Sequence, residues 1–464
     1  MKLHLKARFI FTIWICKIYS AACRVILKRG SSAPGAFALL ICPWILRELS
    51  SRASGKTIVV SGTNGKTTTN NLLYTILKEK GMKVICNNVG ANLLSGIITA
   101  YINGCSAFGA LDADYVCLEI DEASAAKAFD SIKPDYMIIT NFFRDQLDRY
   151  GELDLSVDWL RQAVEKTPET VLVLNGDDPL CGGFDHGSVR KRSFFGIGEQ
   201  IGIMPHETKE CRFCIFCNHE LKYHYYHYSQ LGNYYCEHCG FCRPALDFHA
   251  TGVKLENALE FIAADLSIRV NLIGVHNIYN ILAAISVVAL LGIDLENLNE
   301  VLSVYKPQMG RMEEFTVHGV PVILNLSKNP IGFNQIISDM LDDMRSKDVV
   351  IIINDNAPDG TDVSWLWDAD FEALNAESFS RFAASGIRAE DMYLRMKYAG
   401  ISLDKIHFEK DIQSAIRAMI SNKNDVLYIL TNYTPLFETR KILLKLAKEW
   451  ANGINANPHR TLVS

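Results

Sequence analysis

Residues 61–69 read Ser-Gly-Thr-Asn-Gly-Lys-Thr-Thr-Thr, directly after Thr57-Ile58-Val59-Val60 and directly before Asn70-Asn71-Leu72-Leu73-Tyr74. A β-branched run, two closely spaced glycines and a helix-forming stretch predict a strand, a tight turn and a helix N-terminus. That arrangement holds polyphosphate. Gly62 and Gly65 let the backbone approach phosphate oxygens, and the helix start supplies N–H groups and positive potential. Lys66 adds a point charge for the outer phosphates, and the Thr67 hydroxyl is placed for Mg²⁺. Thr63, Asn64 and Thr68 complete the loop. ATP binding and a cytoplasmic location are the expectations.

Strand and helix patterns alternate after residue 50. Strands are expected at 57–60, 83–86, 115–120, 136–140 and 171–174, with helices at 67–80, 92–102 and 123–130. This is the pattern of βαβ units around a parallel sheet. Ligand sites in such α/β folds gather at the carboxyl ends of strands. Glu119 ends one strand and is the candidate second Mg²⁺ contact, since a hard cation prefers oxygen ligands. Asp121 and Glu122 follow it, and a helix-capping role stays open for either. Asn141, Arg144 and Asp145 follow another strand and are candidates to line the nucleotide or acceptor site; a structural ion-pair role stays open as well.

The chain is 464 residues long, which predicts two or three domains. A net charge of −5 gives no general nucleic-acid signal, so no nucleic-acid partner is expected. Residues 9–16 are strongly apolar and follow Lys2, Lys6 and Arg8, but Lys17 and Arg24 interrupt the run before it could span a bilayer. The segment 1–50 is expected to be helical. It either packs on the body or makes peripheral contact with the inner membrane surface.

Six of the 13 cysteines fall within 211–242. Cys214-Ile-Phe-Cys217 and Cys236-Glu-His-Cys239 form two C-x-x-C knuckles separated by 18 residues. Four thiolates at this spacing suit a tetrahedral Zn²⁺. No open ligand position is evident, so a structural zinc is expected. Cys211 and Cys242 flank the knuckles and stay open as competing ligands. The Tyr- and His-rich segment between the knuckles looks like a β-hairpin. Further on, Gly274-Val-His-Asn-Ile-Tyr-Asn280 opens an Ala-rich helix, where Asn277 is either a nucleotide contact or a simple cap. Lys306-Pro-Gln-Met-Gly-Arg-Met-Glu313 has the punctuation of a linker, and Arg311 suits a phosphate contact.

Gly62-Thr-Asn-Gly-Lys-Thr-Thr68, Thr140-Asn141 with Arg144-Asp-Gln-Leu-Asp148, Gly274-x-His-Asn-x-Tyr-Asn280 and Gly310-Arg-Met-Glu313 together resemble the signatures of the Mur ligases, in order, from about residue 50 to the end. Three departures narrow the resemblance. Too few residues precede the glycine loop for a UDP-sugar-binding domain, a four-cysteine ribbon interrupts the central domain, and Gln146 stands where Mur ligases usually carry His. With Asn354–Trp365 and Arg395–Gly400, these features are similar to the MurT family, the ligase-like subunits of lipid II isoglutaminyl synthase. The implied fold is α/β: a Mur ligase-like central P-loop ATPase domain at 51–305, an inserted four-cysteine zinc ribbon at about 205–247, and a Rossmann-like α/β C-terminal domain at 306–464.

The resemblance also implies the chemistry. ATP would activate the α-carboxyl of D-glutamate in the stem peptide of lipid II as an acyl phosphate, and ammonia would convert it to D-isoglutamine. The ammonia would come from a GatD-type glutaminase, the partner in a heterodimer. An Asp of the ligase-like subunit would complete that partner's triad. Asp355, after the apolar strand 349–353, is the choice, with Asp359 and Asp362 as alternatives. An amino-acid ligase of the folylpolyglutamate type and a non-catalytic nucleotide-binding scaffold are the competing expectations.

Overall fold

The computed structural model describes residues 3–23, 32–87, 90–144, 153–201, 211–255, 258–305, 309–420 and 424–456. Asp145, Gln146, Leu147 and Asp148 of the second signature lie outside them, as do Lys306, Pro307 and Gln308 of the expected linker. The chain divides into two compact units, Met1–Phe143 with Glu152–Tyr305, and Arg144–Gly151 with Lys306–Ser464.

In the first unit the strands are β1 (Lys56–Ser61), β2 (Val84–Cys86), β3 (Tyr115–Glu119), β4 (Tyr136–Ile139), β5 (Val171–Asn175), β6 (Arg192–Ile197), β7 (Lys222–Tyr228), β8 (Leu231–Tyr235), β9 (Phe248–Lys254), β10 (Leu259–Ala263) and β11 (Leu266–Val270). Among the described residues one sheet runs β11-β10-β9-β6-β5-β4-β1-β3-β2. Its pairs from β2 to β9 are parallel, while β9, β10 and β11 form an antiparallel edge. Ile58, Val59 and Val60 of β1 are fully buried, as expected for a central parallel strand covered on both faces. Val60 lies opposite both Glu119 and Ile138, so the carboxyl ends of β1, β3 and β4 line up. Helices Lys66–Glu79, Leu94–Gly104 and Glu122–Ala128 connect these strands where the alternating pattern places them.

Helix Leu3–Ala22 packs on this unit. Phe9, Ile13 and Cys16 are spaced to lie on one helical face, and they enter the same core as Ile97, Tyr101 and Ile102. Among the described residues no helix is long and apolar enough to cross a membrane.

The second unit is a sheet of β12 (Glu313–Val317), β13 (Val320–Leu326), β14 (Lys347–Ile352), β15 (Phe379–Ser385), β16 (Ile406–Phe408) and β17 (Val426–Thr431), in the order β12-β13-β17-β14-β15-β16. All its pairs are parallel except β12 with β13. The strand expected at 349–353 begins earlier, at Lys347, because two charged residues are accommodated inside the sheet. Lys347 donates to Asp343 O at 2.5 Å, and Asp348 pairs with Arg381. Buried charges are tolerated only when partnered in this way.

Candidate active site and metal centre

The glycine loop follows β1 as a turn and then a helix start. Gly62 (φ +110°) and Gly65 (φ +85°) both adopt left-handed backbone. A Cβ on Gly65 would collide with Asn280 Oδ1, so neither conformation nor space admits a side chain there. The loop is braced from the end of β4. Thr63 N–H donates to Asn141 O at 2.9 Å and Asn64 N–H to Asn141 Oδ1 at 2.9 Å. Thr140 Oγ1 and Asn141 Nδ2 donate back to Asn64 O at 2.7 and 3.0 Å. Asn141 therefore shapes the loop.

Lys66 is buried. Its Nζ donates to the Gly62 carbonyl and to Thr63 O at 3.1 Å, and lies 3.5 Å from Glu122 Oε1. Of the two acids for which capping stayed open, Asp121 is the cap, accepting from Ser124 N–H, and Glu122 faces the loop cation. Glu119, at the end of β3, is buried. Asn92 Nδ2 donates to its Oε1 at 3.2 Å, and Asn87 bonds both its N–H and its carbonyl, at 2.8 and 2.7 Å. Asn277 donates to Ile273 O and accepts from Asn280 Nδ2 at 3.1 Å. Asn280 Oδ1 in turn accepts from Thr69 Oγ1 at 3.2 Å. The Gly274–Asn280 segment thus grips the helix that the loop opens. Two left-handed glycines, a buried cation, a carboxylate at a strand end and half-buried Thr67 and Thr68 fit a bound polyphosphate with Mg²⁺.

A further brace comes from the cysteine ribbon. β7 and β8 pair as the expected hairpin, and its turn carries Gln230, which is fully buried. Gln230 Nε2 donates to Phe142 O at 2.6 Å. Phe142 N–H donates to Asp178 Oδ2 at 2.7 Å, and burial pushes the Asp178 carboxyl up to about 6. The next residue, Phe143, exchanges two 3.0 Å hydrogen bonds with Thr63. The hairpin itself is anchored at Asp177. Tyr279 Oη donates to Asp177 Oδ2 at 2.8 Å, Arg243 Nη1 to Oδ1 at 3.0 Å, and His227 Nδ1 contacts Tyr279 Oη at 2.6 Å. Gln230→Ala is therefore expected to raise KM for ATP about five-fold, the equivalent of one lost hydrogen bond, with kcat nearly retained. An unchanged KM in steady-state kinetics would remove the hairpin from the account of the loop.

Cys214, Cys217, Cys236 and Cys239 come together with their Sγ atoms all within 4.8 Å of one another. Cys214–Cys239 and Cys217–Cys236 stand at 3.5 Å. Tetrahedral Zn²⁺ with bonds of ~2.3 Å requires sulfurs roughly 3.8 Å apart, so the donor set fits zinc. Backbone N–H groups of Cys239 and His238 pull the Cys236 thiol down to about 6. Cys211 and Cys242 stand outside this group of four; Cys211 Sγ faces Phe213 O instead. His219 and His238 stack at 3.6 Å beside Cys217, a pairing that the knuckle spacing does not reveal. Metal analysis of the purified protein is expected to find one zinc per chain, lost in Cys236→Ser; a metal-free native protein would contradict this.

In the second unit, Asp355 follows β14. Arg388 Nε donates to its Oδ2 at 2.8 Å, and Nη2 stands 2.8 Å from the same oxygen as an ion pair. Asp359 is buried and accepts from Thr434 N–H at 2.6 Å and from the Thr434 hydroxyl, next to the start of helix Tyr433–Ala456. Asp362 closes a turn by accepting from Ser364 N–H at 2.8 Å. Arg311 is exposed and donates to Leu326 O at 3.4 Å. Arg144, counted with this unit, lies 3.6 Å from Asp368.

Residues 60–288 match the Mur ligase middle domain, and residues 326–436 match the MurT ligase C-terminal family. The subunit MurT of lipid II isoglutaminyl synthase (glutamine-hydrolyzing) from Staphylococcus aureus strain COL is 34% identical over 91% of this chain and 95% of its own. The protein of the same description from Streptococcus pneumoniae R6 is 34% identical over 90% of this chain and 93% of its own. Among solved structures, a pseudomurein peptide ligase type C from Methanothermus fervidus superposes with a TM-score of 0.65 at 24% identity, covering 86% of this chain and 80% of that one. MurF from Thermotoga maritima in complex with ADP gives 0.64 at 17%, covering 90% and 85%. These two show the Mur ligase fold. With a Mur ligase middle domain, a MurT C-terminal domain and relatives matched over nearly their whole length, the chain belongs to the MurT family.

Proposed function

We propose that this chain is the ligase subunit of a lipid II isoglutaminyl synthase, which amidates the α-carboxyl of D-glutamate in the stem peptide to D-isoglutamine. What supports this reading most is the 34% identity to the MurT subunits across nine-tenths of the chain, together with an intact glycine loop. A carboxylate is a poor acylating agent. Its oxygen attacks the γ-phosphorus of ATP, ADP leaves, and the acyl phosphate carries a good leaving group. Ammonia then attacks the acyl carbon, phosphate departs, and a proton is lost to give the amide.

In this reading the backbone from Gly62 to Thr68 cradles the phosphates. Lys66 offsets charge on the transferring group. Asn277 holds its helix against the nucleotide loop. Thr67 and Glu119 would hold Mg²⁺, which would supply positive charge to offset that developing on the phosphoryl group. The four-cysteine site would hold a structural Zn²⁺. Ammonia would come from a GatD-type glutaminase in a heterodimer, with Asp355 orienting a histidine of that partner. All three carboxylates have partners; Asp359 is buried against Thr434, and Asp355 is preferred for its half-buried place at the end of β14. The work would be done in the cytoplasm, where ATP is available. Hydroxylamine should trap the acyl phosphate: lipid II, ATP and this chain are expected to yield a hydroxamate. ATP turnover without hydroxamate would contradict the mechanism.

A further inference from the structure

Helix Leu3–Ala22 is apolar on two faces. Phe9, Ile13 and Cys16 fill the core, while Leu3, Phe11, Trp14 and Ile18 stand on the opposite side at helical spacing. That second face is open: Phe11 is 56% exposed, Trp14 49% and Ile18 71%. The surface continues beyond the helix. Phe108 meets Trp14 edge-on at 6.5 Å, Phe37 meets Tyr19 at 6.0 Å, and Leu40 is 79% exposed. Soluble monomers rarely leave a contiguous apolar patch of this kind uncovered.

The charge around it says what covers it. The first 50 residues carry eight Lys or Arg and one acid, Glu48, which pairs with Arg52, in a chain whose net charge is −5. Lys6 and Arg47 are exposed, whereas Arg8 and Lys17 are tied to Ile41 O and Cys105 O. Trp14 keeps its ring exposed while its indole N–H donates to Ala107 O at 2.7 Å, so the ring is held in place. Aromatic and aliphatic side chains on one face, flanked by an excess of basic residues with Glu48 neutralised by Arg52, form the chemistry that meets an anionic lipid surface. Among the described residues no helix is long and apolar enough to cross a bilayer, so an element meeting one would lie along its surface.

We infer that the face built by Phe11, Trp14, Ile18, Phe108 and Leu40 seats the protein on the surface of an anionic phospholipid bilayer. The inference deepens the proposed function and rests on it for its purpose: a lipid-linked acceptor presents its stem peptide at that surface.

Flotation of the full chain with vesicles of equal parts phosphatidylglycerol and phosphatidylcholine tests it. The wild-type chain should float with these vesicles and release from pure phosphatidylcholine or at high salt, because surface charge attraction is screened. Phe11→Ser/Ile18→Ser/Leu40→Ser should bind at least about ten-fold more weakly, with an unchanged thermal melt because the three side chains face solvent. Lys6→Glu/Arg47→Glu should lower binding to the anionic vesicles only. A wild-type chain that does not float, or a triple serine variant that floats equally well, would overturn the inference. So would a triple variant that instead loses its hold on a glutaminase partner, since the face would then be a protein interface. Amidation of detergent-solubilised lipid II is read separately. Its failure sinks the proposed function without moving the flotation result.

Discussion

Lys66→Ala is expected to abolish amidation, lowering kcat/KM on the order of a thousand-fold. The ammonium is buried beside the Gly62 and Thr63 carbonyls. In a site of low dielectric, a fixed charge aimed at a transferring phosphoryl group is worth far more than in water. The substitution also removes the cation that lies 3.5 Å from the buried Glu122 carboxylate, at a cost of about 3 kcal/mol of stability. A second variant separates the two effects. Lys66→Ala/Glu122→Gln should recover the thermal stability but none of the turnover. Activity returning with stability would show that Lys66 is a structural cation, and the glycine loop would lose its assigned role.

Asp355→Asn should cut glutamine-driven amidation by about four orders of magnitude, the effect expected when a triad carboxylate no longer orients its histidine. ATP binding and amidation from free ammonium should stay within about two-fold, because this role concerns only the partner's chemistry. The geometry suits such a role. Arg388 reaches one oxygen of the carboxylate through two nitrogens at 2.8 Å, which holds the group in one orientation at the end of β14. Arg388→Ala is then a milder lesion of the same kind. Unchanged glutamine-driven turnover in Asp355→Asn would remove Asp355 from the glutaminase and return the question to Asp359 or Asp362.

The glycine loop is legible in the sequence because its signal is local. A β-branched strand, two glycines just past the strand end and a helix start follow one another without a break, and the structure forms them there. The cysteine knuckles are legible for the same reason: ligand spacing is a short-range property. What escapes are contacts between residues distant in sequence. Gln230 supports Phe142 from 88 positions away, and Tyr279 reaches Asp177 across 102. Gln230 belongs to no motif, and the signature that contains Tyr279 does not reveal Asp177 as its partner, since a buried hydrogen bond constrains two side chains and leaves their neighbours free. Glu122 is an intermediate case. Its place after β3 suggests a cap, but only the packing of β1 beside β3 shows that it faces Lys66. The N-terminal helix shows a limit of a different sort. Its composition allows packing or membrane contact as alternatives, and the burial pattern shows one face packed and the other open.

The most direct measurement is amidation of lipid II by this chain with ATP, run with ammonium or with glutamine, and with or without a glutaminase partner. The account predicts product from ammonium with the chain alone, and from glutamine only when the partner is present. No product under any of these conditions, with ATP still bound, would contradict it.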